Sequence, residues 1–486
     1  MSAFSRREFL ERSAVLAAVA AASPAVAASP REEVKRKVSA NDRLRVAVVG
    51  VNSRGMSHVN GFAGKNNCEV AAICDCDEAV IGKAMDAVKK TQGEAPKFEK
   101  DFRRLLDDKS IDIISIATPN HWHALMAVWA MRAGKDVYVE KPATHNVREG
   151  ALMLKAARKY DRLCQVGTQS RSNPGMRAAI EFIHAGKIGP VTLAYGTCYK
   201  SRKSIGKVDA PTEPPATMDY DLWCGPAPKE PVMRKRVHYD WHWAWATGNG
   251  DFGNQGVHEA DKARWGLKVA GLPKSVACVG GRFGYTDDGQ TPNTQLALYD
   301  YGPAKMLFEV RGLDTDAYKG AKVGNIWFGD TGYVVCPSYA GGAAFDRDGK
   351  ELAKFKGGAD QNHFDNFVKA VRARKVSDLN CDIAEGHPSA ALCHLANISY
   401  RLGRETPLPE TVEAFAGCPE AGEALQRMLA HLKANKVDVA KAVGRVGPTL
   451  AIDPKAEAFT GGVADLAAAN ALLTREYRKG FDINEA

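Results

Sequence analysis

Long apolar runs are the first thing missing from this chain of 486 residues. Near the amino terminus the stretch from Ala14 to Ala22 is nine residues long, well below the roughly 20 needed to cross a bilayer. Nothing longer follows, which argues against a retained membrane anchor. Cysteines are sparse and odd in number, eleven in all, with none before Cys68. That count makes no disulfide framework, and it removes a lipid-modified amino terminus. Massed positive charge is also lacking: the net charge is +9, but the basic residues are scattered, so nucleic-acid binding is not indicated. No internal repeat occurs. No Cys/His ligand set stands beside His121 and His123, so no metal site is expected.

What is present begins with Ser5-Arg6-Arg7-Glu8-Phe9, the short apolar run, and Ala25-Val26-Ala27. These form the charged region, apolar region and cleavage pattern of a twin-arginine export signal. Residues 1–28 are therefore expected to be a cleaved signal peptide read by the twin-arginine machinery, with 29–43 a polar linker and the mature protein periplasmic or otherwise exported. The composition, 45% hydrophobic and 25% charged, is that of an ordinary globular protein. The remaining length suffices for two domains at ~150 residues each.

From Leu44 to about residue 166 strand and helix signals alternate. LRVAVVG, Glu69 to Asp75, Ile111 to Thr118 and Asp136 to Pro142 read as strands, with helix-like stretches such as His123 to Arg132 between them. Near-continuous apolar strands separated by helices predict a parallel, doubly wound sheet covered on both faces, here spanning 44–166. Beyond it, VTLAYGTCYK, KSVACVGGRFGY, TQLALYDY, AKMLFEVRG and GNIWFGDTGYVVC are strand-like and joined by turn residues, which predicts a mostly antiparallel sheet in an α+β domain over 167–486. Helices are expected at His363 to Arg374 and after Pro388. Residues 405–486 are expected to add helices and an irregular tail.

The first strand ends in GVNSRG, with Gly50, Asn52 and Gly55 at the three positions of a dinucleotide fingerprint and Arg54 in the same loop. Glycine at the second position lets a pyrophosphate approach the backbone; Asn52 adds bulk there. Asp75 lies twenty residues after Gly55, where a carboxylate accepts hydrogen bonds from the adenosine ribose and repels a 2′-phosphate, so NAD is expected over NADP. The alternative is an α/β domain whose loop binds no cofactor. Thr118, Asn120 and His123 follow the third strand at the sheet edge where ligands bind, and Glu140 and Lys141 end the fourth. All are assigned to the cofactor site, Lys141 also to chemistry: a lysine beside a nicotinamide can hydrogen-bond a substrate hydroxyl, and burial lowers its proton affinity. In GNGDFGNQGVHEADKARWG, His258 is a candidate acid/base because its ordinary pKa is near neutral; otherwise it is a helix-start histidine bonded to backbone. Just upstream, Trp241 and Trp243 sit in HYDWHWAWATG, where rings suit stacking on a sugar face. With Asp251 and Asn254 they are candidate substrate contacts.

The order GVNSRG, AAICD, ATPNHWH, EKP, QVGTQSR, GDFGNQGVH closely resembles the Gfo/Idh/MocA oxidoreductases, in particular their exported members, over essentially the whole mature chain. The resemblance implies an amino-terminal Rossmann domain, a carboxyl-terminal domain with an open, mostly antiparallel sheet, a sugar or cyclitol bound between them, Lys141 as active-site lysine and His258 as catalytic acid/base. One departure stands out: the aspartate common four residues before that histidine is here Asn254, with Asp251 a possible substitute. The expected function is an exported oxidoreductase with tightly held NAD(H), acting on a sugar hydroxyl, because free NAD is scarce outside the cytoplasm. A homo-oligomer is expected. Two alternatives are a redox-neutral, NAD-dependent glycosidase working through a transient keto-sugar, and a sugar-binding protein without catalysis.

Overall fold

The computed structural model describes residues 42–483; the expected signal peptide and nearly all of the expected linker lie outside the described residues. Six strands form the first sheet: β1 (Leu44–Val49), β2 (Cys68–Cys74), β3 (Lys97–Glu99), β4 (Ile113–Ile116), β5 (Asp136–Val139) and β6 (Cys164–Val166). All neighbours are parallel, in the order β3-β2-β1-β4-β5-β6. β1 reverses direction of winding between β2 and β4, and a crevice opens at the carboxyl ends of these strands, as doubly wound sheets require. The central strands are buried on both faces, which is why they read as unbroken apolar runs.

The second sheet is larger. β7 (Val191–Tyr199), β8 (Ser275–Gly281), β9 (Thr294–Asp300), β10 (Lys305–Arg311), β11 (Val323–Gly329), β12 (Gly332–Cys336), β13 (Gly342–Asp346) and β14 (Glu351–Phe355) run in the order β14-β13-β12-β11-β7-β10-β9-β8. Every pair is antiparallel except β10 with β7. Side chains alternate between two buried faces: Met306, Phe308 and Val310 join one core with the helices Val257–Leu267 and Ile383–Leu402, whereas Leu307 joins a second core beneath the helix Pro419–Ala434.

Two expectations change. The helix expected after Pro388 begins earlier, at Ile383, because Asp382 caps it by accepting from the Ala384 amide at 3.0 Å, and Pro388 is carried inside. The region 405–486, expected as helices and irregular tail, also supplies short strands to the large sheet: β15 (Arg404–Pro407), β16 (Val443–Val446), β17 (Leu450–Asp453) and β18 (Ala458–Gly461). Four-residue strands carry too little alternation to stand out. The tail then returns to the first sheet's core, where Phe481 lies against Trp122 and Trp129 and Ile483 is buried. All eleven cysteines are unpaired.

Candidate active site

The crevice is built first by backbone. Gly50 has φ +82°, and a Cβ there would sit 2.8 Å from the Ala117 carbonyl oxygen; at Gly55 a Cβ would fall 1.9 Å from the Gly50 oxygen. Only glycine fits both places, so the loop stays thin, and its residues Asn52, Ser53 and Arg54 line the crevice just before the helix Gly55–Phe62 begins, a place that suits a pyrophosphate. Asp75, just past β2, braces this loop: its two oxygens accept from the amides of Val51 at 2.9 Å and Asp77 at 3.1 Å. Burial raises its pKa. A carboxylate has about four acceptor positions, so ribose hydroxyls can be served as well. Thin loop, helix start and buried acid together fit an NAD nucleotide.

Gly50, Asn52, Arg54, Asp75, Thr118, Asn120, His123, Glu140 and Lys141 all line this one cleft, as do Trp241 and Asn254. Within it, however, several side chains are committed to one another. The Arg54 guanidinium donates to Glu140 at 2.7 Å. Glu140 also receives Gln169 Nε2 at 3.1 Å and meets the His58 ring at 3.2 Å. Burial alone would raise the Glu140 pKa, but Arg54 overrides it and holds the carboxyl well below the usual range. His123 sits between the carbonyls of Thr118, at 2.7 Å, and Pro142, at 2.6 Å, tying the end of β4 to the end of β5. The Asn120 amide donates to Asn249 at 3.0 Å. These contacts hold Lys141 in place from three sides. His58 carried no signal in the sequence, because its partner lies 82 residues away; Gln169 lies in the QVGTQSR motif, but its bond to Glu140, 29 residues earlier, was not expected.

Lys141 leads into the reacting end. Its ammonium donates to the backbone carbonyl of Asn254, and burial lowers its pKa. His258, at the start of the helix Val257–Leu267, is buried, packs on Tyr339 with ring centroids 4.6 Å apart, and leaves Nδ1 without a hydrogen-bond partner. Burial, then the Lys141 charge, pushes its pKa well below the ordinary value. Asp251 is elsewhere engaged: both oxygens take the Arg202 guanidinium, at 2.9 and 2.5 Å. The Asn254 amide reaches only Asp251, at 3.4 Å. Trp243 faces a neighbouring groove, with the Arg202 guanidinium 5.4 Å from its ring centroid.

A further wall of the cleft was not expected. Thr217 donates to Asp77 at 2.6 Å, His238 meets the same carboxylate at 2.7 Å, and the Asp219 amide donates to the Cys76 carbonyl at 2.8 Å. The segment from Thr217 to His242 thereby lies along the side of the cleft beyond β2, contributing Leu222, Trp223, Tyr239 and His242 to its walls. Arg478 from the tail fastens this wall, donating to the Gly225 carbonyl at 2.7 Å and to Asp221 at 2.9 Å.

Fold and cleft define a two-sheet α/β protein with an NAD-binding Rossmann domain. Residues 44–168 match the family model described as "Oxidoreductase family, NAD-binding Rossmann fold", and residues 189–278 match "Oxidoreductase family, C-terminal alpha/beta domain", both of Gfo/Idh/MocA. Together with the fold, these matches support a Gfo/Idh/MocA family oxidoreductase. A "Glycosyl hydrolase family 109 protein 2" of Shewanella sp. (strain ANA-3) is 33% identical over 180 residues, covering 34% of this chain and 40% of that protein. An "Alpha-N-acetylgalactosaminidase" of Shewanella oneidensis is 35% identical over 127 residues, 25% of this chain and 28% of that one. The chain thus spans at most 40% of the length of these curated relatives. Among solved structures, the WlbA dehydrogenase of Bordetella pertussis, determined with NADH and UDP-GlcNAcA, shares the fold at TM-score 0.56 and 20% identity, over 76% of this chain and 99% of that one. The aldose-aldose oxidoreductase of Caulobacter crescentus does so at TM-score 0.55 and 17% identity, over 73% and 98%.

Proposed function

We propose that this chain is an exported, NAD(H)-dependent oxidoreductase that holds its cofactor tightly and acts on a secondary hydroxyl of a sugar, cyclitol or sugar derivative. The observation that carries the reading is the Lys141 ammonium at the carboxyl end of β5, lining the cleft and donating to the Asn254 carbonyl; His258 follows four residues after Asn254, buried with Nδ1 unpartnered, and is not itself among the residues lining the cleft. Bound NAD supplies a hydride acceptor, and NADH a donor. Lys141 has three N–H donors and uses one on the Asn254 carbonyl, so it can hold a substrate hydroxyl with another. His258 is neutral near neutral pH, because burial disfavours its charged form, and can take the hydroxyl proton. Residue 254 is an amide and cannot pass that proton on, and Asp251 is neutralised by Arg202. In the oxidising direction the proton taken up by His258 is therefore released to solvent. The added wall fastened by Asp77 and Arg478 deepens the cleft and supports retention of cofactor, and the arginine pair Arg6-Arg7 supports export.

The reading is tested by profiling purified protein against sugars while following nicotinamide absorbance and product together. A stoichiometric absorbance change with an oxidised or reduced sugar is expected. Denatured protein should release nicotinamide, detected by mass spectrometry; protein that carries none when exported by the native route would overturn tight retention. Normal export of the Arg6→Lys/Arg7→Lys variant would overturn the export assignment. A second reading, the redox-neutral glycosidase, is favoured by the names of the Shewanella relatives. Product released with no lasting absorbance change selects it.

A further inference from the structure

Beside the cleft runs a groove with a different chemical character. Arg202, Lys203, Lys235 and Arg236 line it together with Tyr239 and Trp243, and no carboxylate does. Tyr239, 41% exposed, lines both cleft and groove, so the two adjoin. Two of the four cations are neutralised from beneath: Arg202 by Asp251 at 2.5 Å and Arg236 by Asp240 at 2.7 Å. Lys203 and Lys235 are exposed and form no ion pair among the described residues. Asp287, which accepts from Ser204 at 3.0 Å, is itself paired with Arg282 at 2.6 Å. The aromatic pair is held firm, since Arg202 donates to the Tyr239 hydroxyl at 3.0 Å and covers Trp243. Rigid rings that can lie on a sugar face, rimmed by two cations whose charge nothing offsets, match a saccharide bearing an anion.

We propose that this groove receives an anionic group, a carboxylate or a sulfate, carried by the saccharide whose hydroxyl reacts in the cleft. This rests on the reading of the cleft as a sugar oxidoreductase site. Three probes test it: methyl β-D-glucoside, methyl β-D-glucuronide and glucose 6-sulfate, titrated by tryptophan fluorescence with nicotinamide absorbance followed in the same samples. At least one acidic probe should bind roughly fivefold to tenfold more tightly than the neutral one, the scale of one or two partly exposed charge pairs. That gap should close at high salt and in the Lys203→Glu/Lys235→Glu variant at unchanged melting temperature. Tighter binding of only one acidic probe identifies the anion. Equal binding of charged and neutral probes, no binding by any of them, or a preference that survives the double variant would overturn the groove assignment. Equal turnover of acidic and neutral probes would sink it while leaving the oxidoreductase reading intact; acidic preference with neither absorbance change nor product from any probe would do the reverse.

Discussion

At the residue scale the proposed chemistry rests on Lys141 and His258, and their surroundings predict how each variant behaves. Neither side chain braces the loop at Gly50, so Lys141→Ala and His258→Ala should retain NAD binding. Turnover on an identified substrate should fall by roughly 100-fold in each, the usual size of an acid/base contribution. The two losses should combine less than additively, because both groups act on one hydroxyl. Near-normal turnover in both would place the chemistry elsewhere in the cleft. Asp75 differs, since it serves the loop and the expected ribose at once. Asp75→Ala should weaken NAD by about 1.5–3 kcal/mol, the scale of hydrogen bonds to a charged group, and should narrow the preference for NAD over NADP because a repulsive charge is gone. Equal loss of both nucleotides in titrations would leave Asp75 only its bracing role.

Among the elements, the strand-turn-helix from β1 into Gly55–Phe62 is the most constrained. Gly55→Ala drives a Cβ into the Gly50 carbonyl, so the turn must open. A loss of about 1–3 kcal/mol, typical of forcing an extra carbon into a close-packed place, is expected in chemical denaturation, together with weaker NAD binding; unchanged affinity would mean that the turn does not cradle the phosphates. This element was legible because a buried parallel strand followed by spaced glycines has few other uses. The same holds for Lys141, fixed at a strand end by the pattern around it. By contrast, β15 to β18 are four residues each, and short strands recruited by a neighbouring edge show no period of their own. The segment from Thr217 to His242 shows none either, and its anchors join positions 140 and 161 residues apart. Asp251 illustrates the remaining gap: it was offered as a substitute for the family's aspartate at position 254, but its partner Arg202 lies 49 residues earlier and only packing reveals the pair.

On the scale of the whole molecule, burial of histidine sets the response to acid. His121, His363 and His394 come from different parts of the chain and are each at most 4% exposed. Burial drives their pKa values down to about 3, about 4 and about 3. In the unfolded chain these rings titrate near ~6.5. Below that pH the unfolded state therefore takes up protons that the folded state refuses, so stability is full above ~6.5 and falls as acid is added, the loss continuing until the folded values are reached. His58, His123 and His258, also buried and shifted down, push in the same direction. The slope is up to about 1.4 kcal/mol per histidine per pH unit. Urea denaturation at pH 7.5 and pH 5 should thus show a clearly lower midpoint at pH 5. His363→Gln should lessen the difference: a ring packed between Ser172 and the Val166 carbonyl would be replaced by a group that does not titrate. Equal midpoints at the two pH values would mean that the folded protein accommodates charged imidazoles, contrary to their burial.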